Sequence, residues 1–261
     1  MPETILVERE SGVVSVTLNR PERKNAANGQ MWFELRELFY EVSHTASDRV
    51  LVITGAGGAF CSGADIADPK GVSGDPGDPH LIRMQFLGEV MLALHEIPKP
   101  TIAKVRGIAA GAGMSLALGC DLVVAGEDAR FSEIFAKRGL SVDGGSSWLL
   151  PRLVGLHRAM ELAYFAEILS AGEALEYGLV NRVLPDGELD AFVEGWAGRL
   201  AKGPPLALSM TKRLLHDGAT ATMSEALANE TRCQTVNFST EDTTEAMRAF
   251  ADKRDPEFKG R

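Results

Sequence analysis

The chain has 261 residues, of which 45% are hydrophobic and 24% are charged, a composition typical of one large domain with a buried core. The net charge of −9 argues against a nucleic-acid-binding protein. The cysteines Cys61, Cys120 and Cys233 are widely spaced, which favours reduced thiols over a metal site or a disulfide framework. The N-terminal residues lack a signal-peptide pattern, and no apolar run reaches the roughly 18 residues that a membrane span requires. We therefore expect a cytoplasmic globular protein that binds neither membrane nor metal.

The first 185 residues alternate between short apolar runs typical of strands and longer segments with the apolar spacing of helices. This alternation predicts an α/β fold with parallel strands. From residue 158 onward helices are expected to dominate, and Gly203-Pro204-Pro205 indicates a boundary between a core at 1–200 and a helical segment at 201–261. Strands are predicted at 4–9, 13–19, 50–54, 101–105, 121–125 and 180–184, and helices at 30–43 and 81–96.

Two of the predicted strands are followed by runs of small residues, at 55–65 and 107–119. Such runs let a ligand approach the backbone and bind its N–H groups. The second run is expected to open as a loop and to continue as a buried helix. Gly111 and Gly113 stand where a dinucleotide-binding loop would have glycine, but Leu116 occupies the place of its third glycine. Two interpretations of this run therefore stay open. It is either tight packing of small residues or the binding loop of a nucleotide-binding oxidoreductase.

Asp143 is an isolated carboxylate in the sequence LSVDGG. Asp-Gly-Gly is a turn sequence, and the side chain could cap a helix beginning near Ser146. The same residue could instead act in catalysis, and Glu133 is the other acidic residue between positions 130 and 155. From these residues alone both roles stay open.

The combination of LVITGAGGAFCSGAD (51–65) and IAKVRGIAAGAGMSLALGCDLVVAGEDARF (102–131) resembles the enoyl-CoA hydratase/isomerase (crotonase) superfamily. The resemblance extends from Leu18 to Arg261. It implies a spiral of ββα units, with a C-terminal helical region at 201–261 that packs into homotrimers or dimers of trimers. It also implies an acyl-CoA thioester as ligand and no cofactor beyond the CoA part of that substrate.

The resemblance assigns an oxyanion hole to the two small-residue runs. Members of the superfamily hold the thioester carbonyl between two backbone N–H groups, which by position belong here to Ala64 and Ala112. The second position is more often glycine in the superfamily. Fixed donors of this kind stabilise the negative charge that an enolate oxygen acquires.

The acid and base positions differ from those of the hydratases in the superfamily. Hydratases carry glutamates at two positions, where this chain has Ser115 and Phe135, and the addition of water needs both an acid and a base. Glu133 could replace the second glutamate only if the local backbone shifted. Relatives that isomerise double bonds or open the epoxide of phenylacetyl-CoA often carry an aspartate at the position of Asp143. The resemblance thus favours an isomerase using Asp143; the alternatives are a 2-enoyl-CoA hydratase of fatty-acid β-oxidation and a non-catalytic acyl-CoA-binding protein.

The remaining site residues are also expected from the resemblance. Lys24 should lie near the CoA phosphates, although Arg20, Arg23 and Lys24 read by themselves as a solvated loop. Asp65 is expected to cap its loop, and Phe135 and Trp148 are either core residues or walls of the acyl pocket. The loop at 67–79 and the helix after it, with Met84, Phe86 and Leu87, should shape that pocket, and Phe135, Leu140, Val142 and Trp148 should raise the pKa of Asp143 by burying it. The expected substrate- and CoA-binding residues are Lys24, Ala26, Ala64, Asp65, Ile66, Gly111, Ala112, Ser115, Phe135 and Trp148.

Overall fold

The computed structural model describes residues 4–68, 71, 73, 75 and 77–261, and its strands form two sheets. The strands are β1 (Ile5–Glu10), β2 (Val13–Leu18), β3 (Val50–Gly55), β4 (Thr101–Val105), β5 (Ile108–Ala110), β6 (Leu122–Gly126), β7 (Arg130–Ser132), β8 (Leu169–Ser170) and β9 (Arg182–Leu184). Within the described residues the larger sheet has the order β1-β2-β3-β4-β6-β9, and the smaller has the order β5-β7-β8. β1 and β2 form the predicted antiparallel hairpin, whereas β2, β3, β4, β6 and β9 are parallel.

The helices pack against these sheets and continue beyond them. They are α1 (Gly29–His44), α2 (His80–His95), α3 (Ala112–Leu118), α4 (Ser146–Val154), α5 (Leu156–Phe165), α6 (Ala171–Glu176), α7 (Asp186–Ala201), α8 (Pro205–Gly218), α9 (Met223–Phe238) and α10 (Glu241–Asp252). The order β-β-α recurs as β1-β2-α1, β4-β5-α3 and β6-β7-α4. In the last two of these units the first strand joins the larger sheet and the second joins the smaller one. The predicted α/β architecture of ββα units is thereby confirmed.

The larger sheet is covered on both faces, which explains its nearly continuous apolar strands. On β3, Leu51 and Ile53 belong to the main core, which also contains the fully buried Trp32. Val50 and Val52 alternate with them and belong to a second, smaller core. That core is completed by Leu189, Val193 and Ala197 of α7, together with Ile102 and Val124.

One predicted element was wrong in kind. The run at 107–119 was expected to open as a loop, but Ile108–Ala110 form β5 and pair in parallel with Arg130–Ser132. A three-residue strand that contains two alanines has too few β-branched residues to be predicted from the sequence. The loop predicted at 67–79 contains positions 69, 70, 72, 74 and 76, which lie outside the described residues.

The C-terminal helices begin where the Gly-Pro-Pro sequence predicted a boundary, because α7 ends at Ala201 and α8 begins at Pro205. α8 is tied to the core by an ion pair between Lys212 and Asp121, with 2.9 Å between Nζ and Oδ2. The division at residue 200 into a core and an oligomerisation region stays a prediction. No helix in the described part of the chain is long and apolar enough to cross a membrane.

Candidate active site

The two small-residue runs meet through backbone hydrogen bonds. The Cys61 N–H donates to the Ile108 carbonyl at 3.0 Å, and the Ala110 N–H donates to the Cys61 carbonyl at 2.9 Å. The Ala27 N–H donates to the Gly63 carbonyl at 2.8 Å. These bonds fix the loop that carries Ala64 against the strand that leads into α3.

Ala64 and Ala112 lie close to each other where the two small-residue runs meet. Ala112 is the first residue of α3, a position whose N–H has no carbonyl partner inside the helix. A Cβ atom on Gly63, the residue before Ala64, would lie 3.9 Å from the Ala112 nitrogen. Among the described residues neither N–H donates a backbone hydrogen bond outside helices and strands. The joint use of these two N–H groups as an oxyanion hole stays a prediction.

The structure explains why Gly111 and Gly113, on either side of Ala112, are glycines. Gly111 has φ 51° and ψ −129°, a conformation that residues with a side chain rarely adopt. A Cβ on Gly113 would lie 2.2 Å from the Cys61 carbonyl oxygen. The contact at Gly113 favours packing between the loops over the dinucleotide-binding interpretation.

Replacing Gly113 with alanine is expected to force the two loops apart. The new methyl group would meet backbone atoms, which cannot rotate away, so the free energy of unfolding should fall by about 1–3 kcal/mol or more. The control is Gly195→Ala in α7, where a Cβ meets no atom within 4 Å and about 0.5–1 kcal/mol of stabilisation is expected. Chemical denaturation measures both; equal stability of the two variants would contradict the described contact.

Asp143 lies in the turn before α4, and its carboxylate does not cap that helix. The N-cap residue is Gly145, which makes no side-chain capping bond, and the Ser146 N–H donates to the backbone carbonyl of Asp143 at 3.1 Å. The capping alternative is therefore wrong. Oδ1 of Asp143 is buried and has no hydrogen-bond partner among the described residues. Burial raises the pKa of Asp143 to about 6.

The surroundings of Asp143 differ in part from those expected. Leu140 is 58% exposed, so it is not the buried wall that the sequence suggested. On the other side, a Cβ on Gly144 would lie 2.8 Å from Cβ of Ser115, so the turn rests against α3. The backbone next to Asp143 is thus held close to the helix that begins at Ala112.

Glu133 is the site residue that the sequence interpretation undervalued. Its side chain is buried, with the residue only 1% exposed, and its Oε1 accepts a hydrogen bond from Ser146 Oγ at 3.2 Å. Burial raises the pKa of Glu133 to about 7, with a smaller contribution from the charge of Asp143, while the Ser146 hydrogen bond opposes the rise. A signal was present, since Glu133 is an acidic residue directly after the buried end of β7.

Ser115 connects these groups rather than acting as a base. Its Oγ lies 2.9 Å from Ser146 Oγ, 3.1 Å from the Asp143 carbonyl oxygen and 3.2 Å from the Gly111 carbonyl oxygen. Ser115 and Ser146 are both fully buried. The two hydroxyls thus link Glu133 to the backbone on both sides of the site.

A mostly apolar cavity of about 400 Å³ lies beside this site, between α2 and α4. Trp148 lines this cavity, whereas Phe135 is buried with its ring 3.6 Å from a Cβ built on Gly111. The part of α2 that lines this cavity begins at Gly88, after Met84, Phe86 and Leu87; a role of these three residues in shaping an acyl pocket stays a prediction. The cavity is lined by Gly88, Met91, Leu92, His95, Gly119, Gly144, Gly145, Trp148 and Leu149.

Two histidines, one on α2 and one on α8, form a cluster with Trp148. The centroid of the His95 ring lies 5.1 Å from that of Trp148 and 4.4 Å from that of His216. Burial is the largest cause that lowers the pKa of His95, which favours its neutral form. The cavity is therefore lined in part by a polar ring whose neutral form is favoured.

The loop expected to hold CoA is supported by Arg20. Its Nη2 lies 2.9 Å from Asp65 Oδ2, and its guanidinium also donates to the Ala26 carbonyl. Because both charged side chains are mostly buried, Arg20 does not belong to a solvated loop. Asp65 also accepts from the Ala67 N–H at 3.1 Å, as expected for a residue that caps its loop.

The other residues expected near CoA lie on the surface of the same loops. Lys24 and Ile66 are exposed, and Ala26 is half-buried. Lys24 has φ 50° and ends the short 3-10 helix Pro21–Arg23. Its side chain is accessible to solvent, and contact with a CoA phosphate stays a prediction. Among the described residues no group of three His, Cys, Asp or Glu side chains could hold a metal ion.

Comparison with known proteins identifies the family. A family model described as enoyl-CoA hydratase/isomerase matches residues 8–261. The 1,2-epoxyphenylacetyl-CoA isomerase of Escherichia coli is 39% identical over 265 residues, covering 100% of both chains, and the short-chain-enoyl-CoA hydratase of Clostridium acetobutylicum is 34% identical, covering 98% of both. The solved structure of an enoyl-CoA hydratase from Bacillus anthracis is similar with a TM-score of 0.93 and 31% identity, covering 99% of this chain and 100% of that chain. The chain therefore belongs to the enoyl-CoA hydratase/isomerase family and has the crotonase fold.

Proposed function

We propose that the protein is an acyl-CoA isomerase in which Asp143 is the acid and base. The observation that carries this proposal is the buried Oδ1 of Asp143, which has no hydrogen-bond partner among the described residues. A buried carboxylate oxygen left without a partner is costly, and a substrate C–H beside a thioester would give it a role. The similarity to an epoxyphenylacetyl-CoA isomerase supports the same choice.

In this reaction the thioester oxygen accepts hydrogen bonds from the N–H groups of Ala64 and Ala112. The ionised Asp143 removes a proton from the carbon next to the thioester of a 3-enoyl-CoA, and the electron pair of that C–H bond delocalises onto the thioester oxygen. Asp143 then returns the proton to the γ-carbon, and the double bond comes to lie beside the thioester. Each fixed donor lowers the barrier to the enolate by about 3 kcal/mol.

The raised pKa of Asp143 suits both halves of this cycle. A carboxyl group with a pKa of about 6 is a stronger base than an exposed aspartate, and its acid form still gives up the proton readily. The reaction needs no cofactor beyond the CoA part of the substrate.

Hydration of a 2-enoyl-CoA is the second candidate, and Glu133 is the observation that favours it. Water addition needs two groups that transfer protons, and Glu133 supplies a second carboxyl with a raised pKa. The similarity to a short-chain-enoyl-CoA hydratase fits this alternative. A non-catalytic acyl-CoA-binding protein would keep the two N–H donors without using either carboxyl.

The deciding experiment incubates the enzyme with 2-enoyl-CoA and 3-enoyl-CoA in heavy water, followed by mass spectrometry and NMR. Double-bond migration or deuterium uptake without a gain of water is expected. Efficient addition of water would instead establish the hydratase. Tight binding with no exchange of protons would establish the binding protein.

We also propose that the acyl group occupies the cavity between α2 and α4, and that Lys24 binds a CoA phosphate. The cavity of about 400 Å³ has room for an apolar chain or a ring, with Trp148 as one wall. Lys24 is exposed, so its contribution would be a salt-sensitive point charge.

The C-terminal helices are proposed to form a homotrimer, alone or as a dimer of trimers. Phe250 is 87% exposed, and Phe238 and Met247 are also largely exposed on α9 and α10, as expected of an apolar surface that a partner covers.

Replacing Phe250 with aspartate is expected to shift the sedimentation of the protein toward the monomer, because a charge would be buried at the interface. Tyr40→Asp on α1, at a residue that is 49% exposed, is the matched control and should leave the assembly unchanged. A wild-type protein that sediments as a monomer would refute the trimer.

A further inference from the structure

A chain of buried hydrogen bonds runs from Glu133 to the peptide group that carries the proposed oxyanion donor. Ser146 Oγ lies 3.2 Å from Glu133 Oε1 and 2.9 Å from Ser115 Oγ. Ser115 Oγ lies in turn 3.2 Å from the carbonyl oxygen of Gly111. That carbonyl and the N–H of Ala112 belong to the same peptide group. The chain therefore ends directly behind one of the two proposed donors.

Each serine has one proton to donate, so the direction of the chain depends on Glu133. When Glu133 is ionised, Ser146 donates to it, and the 2.9 Å contact between the hydroxyls then requires Ser115 to donate to Ser146. No proton of Ser115 remains for the Gly111 carbonyl. When Glu133 is protonated, it donates to Ser146, and Ser146 donates to Ser115. The Ser115 proton then lies between two backbone carbonyls, that of Asp143 at 3.1 Å and that of Gly111 at 3.2 Å, and is shared by both.

The surroundings of Oε2 determine which carboxyl oxygen of Glu133 carries the proton. Oε2 of Glu133 is buried and has no hydrogen-bond partner among the described residues. A proton on Oε2 would therefore be a buried donor without an acceptor, which is costly. A proton on Oε1 meets Ser146 Oγ, so protonation reverses the chain.

We propose that Glu133 is a positioning residue whose proton controls, through Ser146 and Ser115, how strongly the Ala112 N–H binds the thioester oxygen. This inference rests on the proposed oxyanion hole. A hydrogen bond donated to the carbonyl of a peptide polarises its N–H, and such coupling strengthens a bond by about 10–30%. Protonated Glu133 thus strengthens the donor, and ionised Glu133 weakens it.

The charges around Glu133 allow this switch near neutral pH. Among the described residues, Asp143 is the ionisable residue whose charge acts on Glu133. The hydrogen-bond partner of Glu133 is Ser146. The pKa of Glu133 is about 7 and that of Asp143 about 6. Glu133, which is buried and lies near the charge of Asp143, therefore keeps its proton to a higher pH than Asp143 does. A second carboxyl is thus retained beside the base without competing for the substrate proton.

The test is isotope-edited infrared spectroscopy of [1-13C]butyryl-CoA bound to the enzyme, measured against pH. The Asp143→Asn background removes the titration of the catalytic base. The thioester carbonyl band should move to lower frequency on binding, and this downshift should be about 10–30% larger below the Glu133 midpoint than above it. In Glu133→Gln, and separately in Ser115→Ala, the downshift should no longer depend on pH. Thermal unfolding confirms that each variant is folded, and Ser146→Ala replaces either one that is not.

A downshift that does not depend on pH in the Asp143→Asn enzyme would overturn the inference while leaving the oxyanion hole intact. So would a pH dependence that survives in the folded Glu133 and serine variants. A bound thioester whose carbonyl band equals that of free butyryl-CoA at every pH would overturn the oxyanion hole itself, and with it the role of Glu133.

Discussion

Replacing Asp143 with asparagine is expected to lower kcat for double-bond migration by about 10²–10⁴-fold, the range that general acid–base catalysis contributes. Asparagine keeps the shape of the side chain but cannot take up the substrate proton. Because the two backbone donors stay in place, the Kd for butyryl-CoA should change little. Steady-state kinetics with a 3-enoyl-CoA and calorimetric titration with butyryl-CoA measure the two quantities.

The pH profile of the wild-type enzyme adds a second check on the same residue. The carboxylate form is the base, so kcat/KM should rise as the pH increases through about 6, the pKa of Asp143. This rising limb should be absent from any residual activity of Asp143→Asn. A variant with the wild-type kcat and the same rising limb would show that another group removes the proton.

The pKa of Asp143 in the folded protein also determines whether this residue makes the free energy of unfolding rise or fall with pH. Burial raises this pKa above the value of about 3.9 in an unfolded chain. Asp143 therefore favours the folded state at low pH, and this contribution is lost as the pH rises through 6. In thermal unfolding, the Tm of Asp143→Asn should lack the decrease that Asp143 causes between pH 4 and 6.

Replacing Ala112 with proline is expected to lower kcat by about 10²–10³-fold, the cost of removing one oxyanion donor. Proline is the one substitution that deletes a backbone N–H, and it is well accepted at the first position of a helix. Gly111 precedes it with φ 51° and ψ −129°, the mirror image of the extended conformation preferred before proline. The backbone can thus accept the proline ring at position 112. Its Cδ atom takes the place of the hydrogen of the Ala112 N–H.

Ala112→Gly is the matched control, because it retains the N–H and removes only a methyl group. It should keep nearly the full kcat and lose at most about 1 kcal/mol of stability. A folded Ala112→Pro enzyme with an undiminished kcat would show that the thioester oxygen binds elsewhere. Circular dichroism and thermal unfolding establish that both variants are folded.

The sequence was sufficient to predict the architecture and the two small-residue runs. The apolar runs, such as the one that forms β3, reflect local requirements, and local requirements are visible without coordinates. β5 was not visible, since Ile-Ala-Ala becomes a strand only through its pairing with Arg130–Ser132. The outcome illustrates the difference between local propensity and long-range pairing.

The network behind the site could not be predicted for the same reason. Glu133, Ser146 and Ser115 come from three separate elements, and nothing in their local sequences indicates that their oxygens meet. The unpartnered Oδ1 of Asp143 is likewise a property of the packed site, whereas its turn sequence suggested an ordinary helix cap. The His95–His216 cluster joins residues of α2 and α8, which no local pattern connects.

The backbone bonds between the loops of Cys61 and Ala110 have a consequence for how this enzyme can change over evolutionary time. The anion-binding groups proposed for it are main-chain atoms held by main-chain contacts, so a substitution that keeps the backbone in place also keeps these groups. The acid and base positions are side chains, and each can be gained or lost by a single mutation. If the proposed mechanism holds, one inherited backbone scaffold can pass between reactions through substitutions at positions 115, 135 and 143 while its two proposed donors remain.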